Sequence, residues 1–331
     1  MSDDVTGRKY SEEDQQPLRE RLLEVKERER LTWETISTET GVKVGSLTPW
    51  AVGKYNSNGG PHAGSPIAEK VERWLASRET RATIRAAAPD LRFVMTPSAS
   101  DFMGMLANTQ ALAHIGVLTG APGIGKSRAA CEYKRRNPNV FKVTGSRFIS
   151  TVPQLLSALA REMGAPDTGR QDRIAANITR RLIGSQGLII VDEAQLLTLD
   201  QMEVVRSFHD LAGAGLALIG NPSVMRKLEG GHRSSDYAQF FSRVGMRLNR
   251  PKAKIGDMEA LLDAWSADDP KVRLALRAVA KQGGALRSAF MTFMLARMVA
   301  NNEDRSLSAA DVKLAWTQIS DQLLQIEGEA A

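Results

Sequence analysis

Gly120-Ala121-Pro122-Gly123-Ile124-Gly125-Lys126-Ser127 decides how this 331-residue chain is read. The stretch fits the phosphate-binding pattern G-x-x-x-x-G-K-[ST], and it sits where that pattern needs to sit. The apolar run 115–119 leads in as a buried strand, and the helix-compatible run 128–136 leads out, so the loop opens onto a helix N-terminus. Gly120, Gly123 and Gly125 let backbone N–H groups converge on phosphate oxygens, with Pro122 and Ile124 completing the loop. Lys126 reaches the β and γ phosphates, and the Ser127 hydroxyl is a ligand for Mg²⁺. The spacing therefore predicts a site for ATP with Mg²⁺.

A phosphate loop binds but does not hydrolyse, so the partners for hydrolysis are sought downstream. Gly187-Leu188-Ile189-Ile190-Val191-Asp192-Glu193 is a continuous apolar run ending in two carboxylates, as expected of a central parallel strand with a Walker B terminus. Asp192 is placed to hold Mg²⁺ through water, and Glu193 to take the proton of the attacking water. The run 216–219 is a further buried strand, and Asn221 after it can orient that water or touch the γ phosphate. The competing reading makes Asn221 the opening of a turn with Pro222. Phe240-Phe241-Ser242-Arg243 closes a helix before the strand 244–248, where Arg243 can project into a neighbouring subunit's site; Arg247 is the weaker alternative. Gly283-Gly284-Ala285-Leu286-Arg287 introduces an apolar helix whose first turn carries Arg287 back toward the nucleotide.

The N-terminal part offers a different pattern. Ile36, Ser37, Val42, Leu47 and Trp50, with Gly41 between two helical stretches, have helix-turn-helix spacing. The second helix begins near Lys43 and presents Lys43, Gly45, Ser46 and Thr48 to a groove or backbone, and Pro49 keeps it short. The alternative is a small helical interaction domain with no DNA contact.

Charge points to a polyanion. The formal net charge is +6 with a sequence pI near 9.5. Residues 121–180 hold eleven Lys/Arg against four Asp/Glu, a net +7, whereas residues 301–331 hold two against six, a net −4. With aromatic residues at 5%, contacts to backbone phosphates suit double-stranded DNA better than base stacking, and such contacts carry little sequence information. Arg147, Arg170, Arg173, Arg226 and Lys227 are the candidates, with Arg170 and Arg173 read as lying in a loop before a helix bearing Arg180 and Arg181. The single Cys131 reads as a small packed residue, and the four histidines lack metal-ligand spacing. No apolar stretch approaches the roughly 18 residues of a membrane span, and no leader opens the chain, so a cytoplasmic, membrane-free protein is expected.

Loop, acidic strand, polar sensor and two arginines, in this order and spacing, resemble the AAA+ ATPase family over about residues 95–325. The segments 184–194, Phe241-Ser242-Arg243 and Gly284-Ala285-Leu286-Arg287 are similar to those of the phage Mu transposition protein B family. Lys54-Tyr55-Asn56 and Arg73-Trp74-Leu75 resemble the small helix-turn-helix domain that family carries. The resemblance implies an ATPase that binds DNA non-specifically, assembles on it as a filament or ring, selects target DNA and stimulates a transposase, in the cytoplasm of a bacterial host. One departure is visible in Asp192-Glu193-Ala194-Gln195, where some relatives carry a second Asp at the last place. A helicase loader and an ATP-switched transcription regulator share parts of the pattern and are the rival readings.

The expected organisation is a disordered tail at 1–16, a helix-turn-helix domain at 17–78, a linker at 79–97, an ATPase core at 98–250 and a helical lid at 251–327. For the core, strands 115–119, 139–144, 187–191, 216–219 and 244–248 alternating with helices call for an α/β fold: a parallel sheet with helices on both faces.

Overall fold

The computed structural model describes residues 10–55, 64–87, 92–229 and 243–326, with the side chains of 83–87 and 227–229 left out. The chain divides into two compact units, residues 1–88 and 89–331.

In the first unit, α1 (Glu12–Arg28), α2 (Trp33–Thr40), α3 (Val44–Ala51) and α4 (Ser65–Ala87) close around Leu18, Leu22, Ile36, Val42, Leu47, Trp50, Val71 and Leu75. Ser11 caps α1 in a capping box with Asp14, so the helix starts inside the stretch read as a disordered tail. Gly41 ends α2 in the left-handed region at φ 67°, which any Cβ would strain, and this turn delivers α3. α3 is eight residues long with Pro49 inside it. The buried Gln15 accepts from the Trp50 indole N–H at 2.7 Å and donates to the Tyr10 carbonyl, so α1 is built into this domain. At its other end α4 runs on to Ala87, which turns the first half of the expected linker into helix.

The second unit is built on a five-stranded parallel sheet of β1 (Ile115–Gly120), β2 (Val140–Thr144), β3 (Leu188–Asp192), β4 (Gly215–Gly220) and β5 (Val244–Arg250) in the order β2-β3-β4-β1-β5. Side chains alternate between two cores. Val117, Ile189, Val191, Leu216 and Leu218 pack under α7 (Val152–Glu162), α8 (Gln171–Leu182) and α9 (Leu199–Ala212). Leu118, Leu188, Ile190, Ala217 and Ile219 pack under α5 (Pro97–Ala111) and α6 (Lys126–Arg136). Both faces of β3 are thus covered, which is why it reads as an unbroken apolar run. At roughly 1.5–3 kcal/mol for each fully buried aliphatic side chain, the strand holds helices on either side. Thr198 and Gln201 form the capping box that starts α9, and Gly213 stops it in the left-handed conformation. The short α10 (Ser223–Glu229) follows β4.

After β5 come α11 (Ile255–Ala264), α12 (Pro270–Ala280), α13 (Ala285–Asn302) and α14 (Ala309–Ser320). They enclose a core of their own around Leu262, Val272, Leu276, Val279, Phe293, Val312 and Trp316, with Trp265 stacked on Phe293 at 4.7 Å. This is the helical lid. Among the described residues no helix is long and apolar enough to cross a membrane. Two smaller expectations are corrected. Arg173 lies on α8 itself rather than in a loop before it, because Arg170 already occupies the N-cap position. Cys131 sits on the exposed face of α6 and is not packed.

Candidate nucleotide site

The strand order places the carboxyl ends of β1, β4 and β3 side by side: β1 ends at Gly120, β3 at Asp192, and β4 one residue before Asn221. In a parallel α/β sheet this edge is where ligands bind. From β1 the chain passes through the loop 121–125 into α6, whose first residue is Lys126. Gly123 and Gly125 have φ of 81° and 93°, which other residues rarely adopt. The loop is tight from outside as well: a Cβ on Gly123 would come within 1.8 Å of the Gly284 carbonyl, and one on Gly120 within 2.3 Å of the Arg250 carbonyl. The lid therefore rests on the phosphate loop. Its backbone is tied there, with the Arg287 N–H donating to the Gly123 carbonyl at 3.2 Å.

Lys126 Nζ donates to the carbonyls of Gly120 at 2.8 Å and Ala121 at 2.7 Å. Burial pushes its ammonium below the usual lysine range, Glu193 and then Asp192 pull it back up, and Arg287 adds to the lowering. Those influences mean that both carboxylates and the lid arginine share the electrostatic neighbourhood of Lys126. Ser127, the second residue of α6, is half-buried.

Asp192 closes β3, nearly fully buried, and its Oδ2 is salt-bridged at 3.0 Å to Lys142 on β2. Its Oδ1 accepts from the Glu193 N–H at 3.1 Å. Glu193 stands in the left-handed region, φ 52° and ψ 39°, at the strand-to-turn junction, and its Oε2 accepts from Gln195 Nε2. Gln195 also accepts the Asn221 N–H at 3.3 Å. The Asn221 side chain opens α10: its Oδ1 accepts from the Ser223 N–H at 2.8 Å and from the Ser223 hydroxyl. The turn-opening alternative thus accounts for that oxygen. The amide nitrogen makes no hydrogen bond among the described residues.

Arg243 is at the other end of the sheet, where its carbonyl accepts the Ile115 N–H at the start of β1. It lies across the sheet from its own phosphate loop, and its Nε donates to Asp210 Oδ1 at 2.8 Å. The helix expected over 240–242 lies outside the described residues. Of the DNA candidates, Arg147 is exposed in the loop after β2, Arg173 on α8 and Arg226 on α10, while Arg170 pairs with Asp172 at 3.1 Å on an open surface. The Lys227 side chain lies outside the described residues. Lys43, at the N-cap of α3, is exposed and Ser46 is half-buried.

Sequence reasoning missed Lys142, Gln195 and Asp210. Lys142 could have been found as the lone charge inside the run Val140-Phe141-Lys142-Val143, and Gln195 as the family departure already noted. Asp210 carries no signal, since its pairing depends on β5 entering beside α9.

Mg²⁺ suits the donor set. A hydroxyl and a buried carboxylate are hard oxygen ligands of the kind this ion takes in small number, keeping waters and phosphates for its other positions. Among the described residues no cluster of three or more His, Cys, Asp or Glu forms a metal cage of its own.

Comparison with known proteins adds to this geometry. Residues 110–228 match the family model described as AAA domain, and residues 242–319 the model described as Mu B transposition protein, C terminal. The chain is 30% identical over 303 residues, 91% of its length and 95% of the relative's, to the ATP-dependent target DNA activator B of Escherichia phage Mu. It is 28% identical over 267 residues, 80% of its length and 91% of the relative's, to the Mu-like prophage FluMu DNA transposition protein B of Haemophilus influenzae. A solved structure of Drosophila ORC bound to DNA superposes with a TM-score of 0.52 at 16% identity, covering 73% of this chain and 66% of that one, a likeness of fold.

Proposed function

The chain belongs to the family of the phage Mu transposition protein B, and from that premise we propose that it is an ATP-dependent activator of target DNA in transposition, acting as an ATPase that assembles on double-stranded DNA and stimulates a transposase. The observation that carries the nucleotide part is the convergence of Lys126, Asp192, Glu193, Asn221 and the Arg287 turn at one sheet edge.

The geometry supports the following roles. Loop N–H groups and the α6 N-terminus take the phosphate oxygens. Lys126 leaves its two carbonyl partners for the β and γ phosphates, an exchange that the negative charge of the incoming ligand drives. Ser127 and Asp192 would hold Mg²⁺, which when bound neutralises charge on the transferring phosphoryl group. Glu193 receives the proton of the attacking water, and the Asn221 amide orients that water. Arg287 senses the nucleotide from the lid. Arg243, too distant from its own site, serves the site of a neighbouring subunit and makes turnover depend on assembly. The basic surface holds DNA through phosphates, with the N-terminal helices as a second contact near Lys43 and Ser46.

Electron microscopy of the protein with DNA and a non-hydrolysable ATP analogue, set against the ADP state, tests the reading. Ordered assemblies with the analogue and bare DNA with ADP are expected. Lys126→Ala should give bare DNA in both, and equal coating in the two nucleotide states would overturn the coupling.

A further inference from the structure

Lys142 has no place in the chemistry just described, yet it is the nearest cation to Asp192. Parallel pairing of β2 with β3 sets Lys142 opposite Ile190 and Thr144 opposite Asp192, so period-two alternation puts Lys142, Thr144 and Asp192 on the sheet face that α6 covers. Lys142 Nζ lies 3.0 Å from Asp192 Oδ2 and donates to Thr144 Oγ1 at 3.0 Å. The side chains are 12% and 4% exposed. A lysine this enclosed is rare without a partner, and a carboxylate this enclosed is costly without a cation.

We propose that Lys142 is the resident counter-ion of Asp192, competing with Mg²⁺ for that carboxylate and thereby setting the Mg²⁺ concentration at which nucleotide binds. The inference rests on the nucleotide reading above. Without nucleotide, Lys142 neutralises a carboxylate that the fold has withdrawn from water. When Mg²⁺ and nucleotide arrive, two cations claim one acceptor, and Lys142 shifts its hydrogen bonding toward Thr144. β2 feels that exchange directly, because the Gly145 N–H that follows it is bonded to the Asp192 carbonyl at 2.8 Å.

The test uses the full chain and a fluorescent ATP analogue at fixed concentration, titrated with Mg²⁺ while binding and melting temperature are followed. Lys142→Met, which keeps the length without the charge, should reach half-maximal nucleotide binding at a Mg²⁺ concentration lower than wild type by at least about tenfold. It should also melt below wild type without nucleotide and recover most of the difference with it. Lys142→Arg should stay near wild type. In an Asp192→Asn background the Lys142→Met shift should vanish. Should Lys142→Met fail to fold, Lys142→Gln takes its place, since its amide can still donate to Asp192. An unchanged or higher Mg²⁺ midpoint, with normal nucleotide binding by wild type, overturns the role of Lys142 alone. Absence of any Mg²⁺-dependent binding by wild type takes down the nucleotide site itself and this inference with it.

Discussion

Gln195 holds Glu193 with one end of its amide and the backbone of Asn221 with the other. The two residues assigned to the attacking water are therefore joined through a third side chain, one given no part in the chemistry itself. The clasp is tight, since a Cβ on Gly220 would meet Gln195 Oε1 at 2.2 Å. Gln195 acts as a positioning residue, and a misplaced base loses turnover while leaving phosphate binding alone. Gln195→Ala is expected to lower kcat by about 10- to 100-fold with KM for ATP changed by no more than about twofold, the split that separates orientation from binding. Steady-state kinetics checks it, and parallel losses in kcat and nucleotide affinity would mean that Gln195 merely supports the fold. Glu193→Gln should behave more severely: the amide keeps the shape and cannot accept the proton, so ATP is bound and not consumed. Its DNA complexes in ATP should outlive those of wild type, and dissociation at the wild-type rate would show that hydrolysis does not time release.

At the scale of elements, the lid is joined to the core by Asp257, which is fully buried. This carboxylate on α11 accepts from the Ser98 N–H at 2.7 Å and the Ser98 hydroxyl at 2.6 Å at the start of α5, and from the Lys254 N–H at 2.6 Å at the start of its own helix. One side chain thus satisfies orphan donors at two helix N-termini. Asp257→Asn replaces an acceptor by a donor facing those donors, and a loss of about 2 kcal/mol in unfolding free energy is expected from denaturant titration. A loss within about 0.5 kcal/mol would show that the junction tolerates the unpaired groups. A second joint lies within the lid, where Glu259 on α11 receives Arg277 at 2.6 Å and Arg273 at 2.7 Å from α12. The Arg277 hydrogen bond first, and that of Arg273 next, hold its carboxyl at about 2 against an ordinary 4.5. A depressed carboxylate contributes stability above the unfolded value and loses it as pH falls toward the folded one. Melting temperature should accordingly fall less steeply between pH 4.5 and 2 in Glu259→Gln than in wild type, and identical slopes would remove the pair from the lid's acid response. These joints were not legible in the sequence, whereas the strands were. Leu188 to Val191 announce a doubly covered strand by composition alone, because that signal is local. Asp257 with Ser98, Lys142 with Asp192 and Asp210 with Arg243 are joined only by packing and strand register, which periodicity does not encode. For the same reason the nucleotide residues were readable as a motif, while the groups that hold them were not.

Across the whole molecule, the question is how much of the net +7 over residues 121–180 remains to act at a distance. Folding answers in part. Glu132 takes Arg135 and Arg136, Glu162 takes Lys134, Asp167 takes Arg161, Asp172 takes Arg170 and Asp192 takes Lys142. Arg147 and Arg173, together with Arg226 from α10, are exposed and make no ion pair among the described residues. They are the cations best placed to exchange counterions for DNA phosphates. Arg170 is held by a pair so open, with side chains 82% and 64% exposed, that the contact is worth little and yields to a phosphate. Each phosphate contact removed should flatten the dependence of log affinity on log salt by roughly 0.9 unit, and should do so equally on unrelated sequences. Base-reading arginines would instead cost about 1–3 kcal/mol at particular base pairs. ATP-dependent binding of two unrelated duplexes, measured across a salt series for Arg147→Ala, Arg170→Ala, Arg173→Ala and Arg226→Ala, is therefore expected to weaken uniformly with a smaller slope. Nucleotide binding without DNA should be unchanged, because none of the four belongs to the set Lys126, Ser127, Asp192, Glu193, Asn221 and Arg287 assigned to the nucleotide. A slope that stays at the wild-type value in all four variants would leave this basic surface solvated and move the DNA path elsewhere on the protein.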